Sequence, residues 1–348
     1  MRDSKRAIIA TVSVVLAVIA VSAAVLLSPF SWHDDLKVRR ELAGSIDMLF
    51  AGASQCHDAF YTNVIDEALG TNSYNLGIDA LSPWQKTYLL KNELDRNDLD
   101  TVVLEIAYDA MEKKFISEFV DENVYCIARL ETLEDRLDYY FNCIRYENKG
   151  YVYSQLMLRS LVSTAENVIS GSSSSEKNAR ELKGSYLTAA KDHTLPDDEI
   201  VEKFGIKPFS TDNYLEETVS AFEEMIDICL KKNIRVIVAV VPVSDNFIWE
   251  YSGLDDFDSW VKTRFCKNGV EFYDFNLMKN RFEVLSDKDC YGTDSHHMSG
   301  TGAAAFSKEF ARIIKEAADG TDVSPMFYKS YEEMMNDCPY MEYYKAHK

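Results

Sequence analysis

Residues 46–60 of the chain read IDMLFAGASQCHDAF. The first five of them have the length and apolar content of a short buried strand. Small residues at 51–53 permit a sharp turn, and the pattern at 59–69, closed by Gly70, predicts a helix. Ser54 therefore stands where a strand gives way to a helix, beside backbone N–H groups without helical acceptors. An exposed hydroxyl next to such donors is what a nucleophilic serine requires.

Other interpretations of this stretch are open. Ser54 taken alone also fits a serine that caps the start of a helix. Cys56 is a second candidate nucleophile, although Ser54 occupies the turn. His57 is interpreted as a residue of the helix face rather than as a ligand.

Strands and helices alternate on both sides of this stretch. Strands are predicted at 73–77, 100–106, 235–241 and 269–275, and helices at 83–95, 215–232, 255–266 and 304–317. This alternation predicts an α/β fold with a parallel sheet covered on both faces. Residues from about 110 to 210 interrupt the alternation and are rich in charge and tyrosine. They predict a mostly helical insertion, interpreted as a lid or a substrate-facing wall.

The amino terminus carries basic residues before an uncharged run at 7–27. About 20 apolar residues suffice to span a bilayer as a helix, and the preceding basic residues favour a cytoplasmic amino terminus. The run predicts an uncleaved signal anchor, with a cleaved secretory signal as the alternative. Either one exports the rest of the chain. The predicted divisions are a cytoplasmic tail at 1–6, a transmembrane anchor at 7–27, a juxtamembrane linker at 28–42, a main domain at 43–318 and a C-terminal tail at 319–348.

Composition narrows the classes of partner and cofactor. The chain has 348 residues, of which 47% are hydrophobic, so it can form a substantial core. Its net charge of −20 argues against a nucleic-acid partner. The seven cysteines include no Cys-x-x-Cys pair, which predicts buried free thiols rather than a zinc site or a disulfide scaffold. No metal or other cofactor is predicted.

A second stretch, residues 291–303, reads YGTDSHHMSGTGA and precedes the last predicted helix. Asp294 and His297 lie three residues apart on a predicted turn, so the carboxylate can orient the imidazole. Beside Ser54 they would complete a set of nucleophile, base and orienting acid. Asp-x-x-His alone also fits an ordinary surface turn. The order of the motifs along the chain favours the catalytic interpretation.

The sequence resembles the SGNH/GDSL hydrolase superfamily, and within it the membrane-anchored branch that includes DltD, AlgJ and AlgX. The resemblance covers roughly 43–110 and 211–318 and leaves the insertion unmatched. It is carried by four short stretches: FAGAS at 50–54, YNLG at 74–77, LEI at 104–106 and DSHHMSGTGA at 294–303.

The resemblance implies a flavodoxin-like three-layer sandwich and a set of site residues. Ser54, His297 and Asp294 would be catalytic, and the N–H groups of Ser54 and Gly77 would bind the oxyanion. His296 would flank the site. Two departures stand out. Ala53 replaces a residue that is Asp or Ser in many relatives, and the Gly-x-Asn-Asp of the third block is absent. Tyr108 is the candidate replacement for the missing oxyanion donor.

The resemblance also implies an activity. It predicts an extracytoplasmic serine O-acyltransferase or acylesterase that acts on a cell-surface polysaccharide or a teichoic-type polymer, with a multi-pass membrane O-acyltransferase as partner. A simple carbohydrate esterase is the second hypothesis. The third is a non-catalytic, membrane-tethered subunit that binds glycan or assists assembly.

Overall fold

The computed structural model describes residues 9–18, 20–21, 33–112, 120–170, 175–187, 189, 207–285, 289–292 and 296–337. Within these ranges, no helix combines the length and hydropathy that a bilayer crossing requires. Of the predicted anchor at 7–27, residues 9–18 and 20–21 are helical, and the other positions lie outside the described residues. The membrane anchor therefore stays a prediction.

A parallel sheet of five strands forms the centre of the fold, as the alternation of elements predicts. Its strand order is β2-β1-β3-β5-β7, and β4 and β6 form a separate parallel pair. Taken in chain order, the five strands of the main sheet have the 2-1-3-4-5 order of flavodoxin-type folds. The strands are β1 Met48–Ala51, β2 Ser73–Asn75, β3 Thr101–Glu105, β4 Lys207–Pro208, β5 Arg235–Val240, β6 Tyr251–Ser252 and β7 Glu271–Asp274.

The described helices alternate with these strands and fill most of the described insertion. The first half of the chain has α1 His33–Leu42, α2 Ser54–Ala59, α3 Thr62–Leu69, α4 Pro83–Leu94, α5 Glu122–Arg129, α6 Leu133–Asp138, a π-helix at Tyr139–Cys143, α7 Tyr146–Ser170 and α8 Ser175–Leu182. The second half has α9 Glu216–Lys231, α10 Asp245–Glu250, α11 Leu254–Phe265, α12 Arg281–Val284, α13 Gly300–Ala318 and α14 Tyr331–Asn336, with 3-10 turns at Phe275–Leu277 and Ser324–Met326.

Side chains alternate between two buried layers along each strand, which gives the fold its three layers. Met48 and Phe50 of β1 share one core with α2, α3 and α13. Leu49 and Ala51, their neighbours on the same strand, share the other core with α4, α9 and α11. Because successive strand residues point to opposite faces, helices on both sides are needed to cover the sheet.

Helices form in the two segments that flank the main domain. Within the predicted linker at 28–42, His33–Leu42 form α1 and bury Leu36 and Val38. The polar composition of residues 33–42 does not predict a packed helix. One of the residues that α1 buries is Arg39, whose guanidinium lies 3.4 Å from Glu93. The described part of the C-terminal tail packs on the domain, since Tyr331 of α14 is buried and its N–H donates to Asp255.

Candidate active site

The turn that carries Ser54, residues 51–54, lies at the carboxyl end of β1 and is referred to below as the serine turn. A Cβ atom at Gly52 would lie 2.6 Å from Glu105 Oε2 and 2.7 Å from Glu105 Cβ, so only glycine fits. The Ala53 N–H donates to the same Glu105 oxygen over 2.7 Å. The turn is therefore packed against the end of β3, and Ser54 becomes the first residue of α2 at the rim of the sheet.

His297 meets Ser54 across the fold. Its Nε2 lies 2.6 Å from Ser54 Oγ, although the two residues are 243 positions apart. A backbone hydrogen bond from the Gly292 N–H to the His297 carbonyl, 2.7 Å long, holds the segment in place. Both side chains are partly exposed. The imidazole can accept the serine proton at this distance, which is the geometry of a nucleophile and its general base.

The predicted orienting acid, Asp294, lies outside the described residues, as do its neighbours 293 and 295. Its role stays a prediction.

His296 lies beside His297 at the edge of the site. Its ring centroid is 4.2 Å from that of His297 and 5.2 Å from that of Phe247. Its carbonyl accepts a hydrogen bond from Gln55 Nε2 over 3.4 Å. These contacts fit the predicted flanking position of His296 and leave Ser54 to His297.

Gly77, the second predicted oxyanion donor, is already engaged. Its N–H donates to Asn75 Oδ1 over 2.9 Å, and its carbonyl accepts from Arg129. A Cβ atom at Gly77 would lie 2.7 Å from the His57 backbone nitrogen, so the glycine is needed for close packing. Its oxyanion role stays a prediction, and the bond to Asn75 weighs against it.

Two backbone N–H groups remain available at the serine itself. No acceptor among the described residues binds the N–H of Ser54 or of Gln55. Both groups stand in the first turn of α2, where helical geometry supplies no carbonyl partner. A tetrahedral oxyanion formed on Ser54 would find its donors here.

Tyr108 does not present its hydroxyl to the serine. The hydroxyl is bonded to the Tyr331 hydroxyl and accepts from Asn276 Nδ2, while Tyr331 donates to Asp274 Oδ2 over 2.6 Å. Burial and the nearby Asp274 charge raise the pKa of the Tyr108 phenol well above its usual value. The ring borders the cleft, but this arrangement argues against Tyr108 as the missing oxyanion donor.

Cys56 is excluded as the nucleophile by its surroundings. Its side chain is fully buried, and its Sγ donates to Asn75 Oδ1 over 3.4 Å. Burial, followed by the charge of Glu105, raises the pKa of the thiol well above its usual value. A buried thiol with a raised pKa supplies little thiolate.

His57 is more than an ordinary residue of the helix face, because two carboxylates lie beside its ring. Its Nε2 lies 2.7 Å from Asp79 Oδ1, and its Nδ1 lies 3.0 Å from Asp58 Oδ1. Burial lowers the pKa of His57, but the hydrogen bonds to Asp58 and Asp79 outweigh it and raise the pKa above its usual value. The same bond to His57 lowers the pKa of Asp79. The sequence signal that could have predicted this contact is the position of Asp79 just beyond β2, at the carboxyl edge of the sheet where ligands bind in such folds.

A cleft of about 1230 Å³ joins these groups. Ser54, His297, His57 and Asp79 lie together in its lining, and Tyr186 brings the insertion into its wall. Beyond them, the cleft is lined by aromatic and charged side chains: Phe209, Phe247, Tyr251, Phe257, Lys207, Asp109 and Glu112. Its volume exceeds the roughly 300–1,000 Å³ of pockets for small ligands, so it can accept a substrate of more than one ring.

Comparison with known proteins gives little beyond this geometry. No family model matches the sequence, and no curated protein is detectably similar to it. The chain is similar to a solved structure from Bacteroides fragilis that is provisionally described as an acylhydrolase, with 11% identity and a TM-score of 0.35. That match covers 80% of this chain and 93% of the other. A likeness this distant does not establish a family.

Proposed function

We propose that this chain is a serine acyl hydrolase or acyltransferase of the SGNH type, with Ser54 as nucleophile and His297 as general base. The observation that carries the proposal is the 2.6 Å contact between His297 Nε2 and Ser54 Oγ. It is supported by the position of Ser54 at the carboxyl edge of a flavodoxin-order sheet, where ligands bind in such folds.

The reaction proceeds in two halves. Ser54 Oγ attacks the acyl carbonyl carbon while His297 Nε2 takes the hydroxyl proton, and the oxyanion forms beside the N–H groups of Ser54 and Gln55. His297 then gives the proton to the leaving alcohol oxygen as its bond to the acyl carbon breaks. An acceptor hydroxyl or water next attacks the acyl carbon of the acyl-serine and loses its proton to His297, which gives that proton to Ser54 Oγ as the bond between Oγ and the acyl carbon breaks.

The proposed substrate is an O-acylated cell-surface polysaccharide or teichoic-type polymer. The size of the cleft and its aromatic lining support it, because aromatic side chains offer flat apolar faces to sugar rings. The uncharged run at 7–27 would hold the domain on the outer side of the membrane, near a multi-pass membrane O-acyltransferase that supplies acyl groups. Asp294 is the proposed orienting acid for His297.

Two experiments test the mechanism. Purified chain should hydrolyse a small acetyl ester and react with a fluorophosphonate serine probe, and Ser54→Ala should abolish both. Ser259→Ala, at an exposed serine whose hydroxyl donates to the Asp255 carbonyl, is the matched control and should retain both. Full ester hydrolysis by Ser54→Ala would disprove Ser54 as the nucleophile.

A non-catalytic role in glycan binding is the second candidate. It is favoured by the engagement of Gly77, a predicted oxyanion donor, and of Tyr108, its possible accessory, in other hydrogen bonds. Calorimetric binding of an acetylated oligosaccharide by a chain whose Ser54 resists the fluorophosphonate probe would select this function over catalysis.

A further inference from the structure

We propose that Glu105, neutralised by Lys86, is a positioning residue for the Ser54 nucleophile. The inference rests on the proposed function and adds to it a part of the site that lies beneath the serine turn. Neither residue lines the cleft.

The sheet places Glu105 under the turn. Glu105 ends β3, which pairs with β1 so that Leu104 lies opposite Ala51. Gly52 and Glu105, the residues that follow this pair, therefore lie next to each other at the carboxyl edge of the sheet. The Glu105 carboxylate accepts a hydrogen bond from the Ala53 N–H over 2.7 Å. A hydrogen bond to an ionised acceptor is about twice as strong as a neutral one. It fixes the peptide immediately before Ser54.

The turn is shaped around this carboxylate. A Cβ atom at Gly52 would lie 2.6 Å from Glu105 Oε2 and would also overlap Cys56 Cβ. The small residues of the serine turn therefore do more than permit a bend, because they let the carboxylate approach the backbone. A larger residue at 52 would push Glu105 away from the N–H that it holds.

Lys86 supplies the compensating charge. Its Nζ, on α4, lies 3.6 Å from Glu105 Oε2, and the two side chains are 1% and 0% exposed. Its ammonium has no hydrogen-bond partner among the described residues, so the carboxylate is its main electrostatic compensation. Stability alone does not favour such a pair, since apolar side chains of similar volume are often equally or more stabilising. A requirement at the serine turn explains why the pair is present.

The pair has a second consequence for catalysis. An uncompensated anion at Glu105 would stand beside the position where the tetrahedral oxyanion develops and would disfavour its charge. With Lys86 present the pair is neutral overall, and only its hydrogen bond to Ala53 remains directed at the turn. Loss of Lys86 should therefore slow acyl transfer even where the turn keeps its shape.

The test compares variants of the full chain with an acetyl ester. Glu105→Ala should lower kcat by about ten- to a hundredfold with KM within about twofold, because small displacements of a nucleophile are costly. Glu105→Gln keeps an acceptor for Ala53 and should retain most of kcat. Lys86→Met should lower kcat, and Lys86→Met combined with Glu105→Gln should restore it, since the pair is then neutral again.

Glu93→Gln is the matched control. Glu93 stands on the same helix as Lys86 and is equally buried, but its carboxylate contacts Arg39 and Asn97 instead of the serine turn. It should lower the melting temperature without changing kcat per folded molecule. Amide hydrogen exchange at Ala53 should accelerate in Glu105→Ala and stay unchanged in Glu93→Gln, a readout that needs no activity.

The outcomes separate this inference from the proposed function. Folded Glu105→Ala with wild-type kcat and wild-type exchange at Ala53 would refute the positioning role, and so would an equal loss of kcat in Glu93→Gln. If Ser54→Ala retains activity, the proposed function fails, whatever Glu105 does. If Ser54→Ala is inactive while Glu105→Ala is not, only the positioning role fails.

Discussion

His297 and His57 border the same cleft, and their partners give them opposite chemistry. His297 Nε2 faces the Ser54 hydroxyl at 2.6 Å. His57 has a carboxylate on each ring nitrogen, at 2.7 and 3.0 Å, and a raised pKa. Both ring nitrogens of His57 therefore face carboxylates rather than a hydroxyl. A position in the lining of the cleft is therefore not enough to make a histidine a candidate base; its hydrogen-bond partner must also be a candidate nucleophile.

The largest predicted difference between the two histidines is in the rate of ester hydrolysis after each is substituted. His297→Gln should lower kcat/KM by about 10²–10⁴-fold, the usual contribution of a general base. His57→Gln should lower it by less than about tenfold, because His57 shapes the wall of the cleft and transfers no proton. Steady-state hydrolysis of an acetyl ester at neutral pH measures both. A larger loss in His57→Gln than in His297→Gln would reverse the assignment.

A smaller predicted effect concerns the close packing of Gly77 against His57, which contributes to stability. Gly77→Ala places a methyl group 2.7 Å from the His57 backbone nitrogen and 2.9 Å from its Cβ. We expect a loss of about 1–3 kcal/mol in the free energy of unfolding, the usual range for overpacking. Gly150→Ala is the control, because a Cβ there meets nothing within 4 Å. Equal urea midpoints for the two variants would contradict the close packing of Gly77.

The smallest effect is the pH dependence of the His57–Asp79 pair, measured with Asp79→Asn. The raised pKa of His57 contributes stability fully below its unfolded value of about 6.5, and the contribution is lost as pH rises through the folded pKa. The lowered pKa of Asp79 contributes above its unfolded value of about 3.9, and is lost as pH falls through its folded pKa. The free energy of unfolding of the wild type should therefore exceed that of Asp79→Asn by most between about pH 4 and 6.5.

Urea unfolding across pH 3–9 follows this difference, with the exposed Asp212→Asn as control. A gap between wild type and Asp79→Asn that widens above pH 7 would contradict the sign derived for His57.

The main sheet could be predicted from sequence because its strands carry strong local signals. The run at 235–241 predicts a buried strand, and β5 occupies Arg235–Val240. The helix predicted at 215–232 is observed at Glu216–Lys231, where apolar residues recur on one face. In both cases the local sequence pattern and the observed packing favour the same secondary structure, so contacts distant in sequence do not change it.

The site could be predicted only in part. The motif order predicts Ser54 and His297 as partners, and the structure places His297 Nε2 2.6 Å from Ser54 Oγ; their catalytic role stays a prediction. The hydrogen bonds that occupy Gly77 and Tyr108 are not visible in a motif, since Gly77 donates to a side chain and Tyr108 meets Tyr331 from the C-terminal segment. The His57–Asp79 pair likewise depends on where the segment after β2 comes to lie.

The distance in sequence between Ser54 and His297, 243 positions, also matters for biosynthesis. The ribosome synthesises Ser54 early and His297 late, just before α13. A chain that ends before residue 297, or whose α13 has not yet packed against the sheet, holds Ser54 without the His297 imidazole beside it. On the proposed mechanism, a nascent chain gains its general base only after residue 297 has been synthesised and has come to lie beside Ser54.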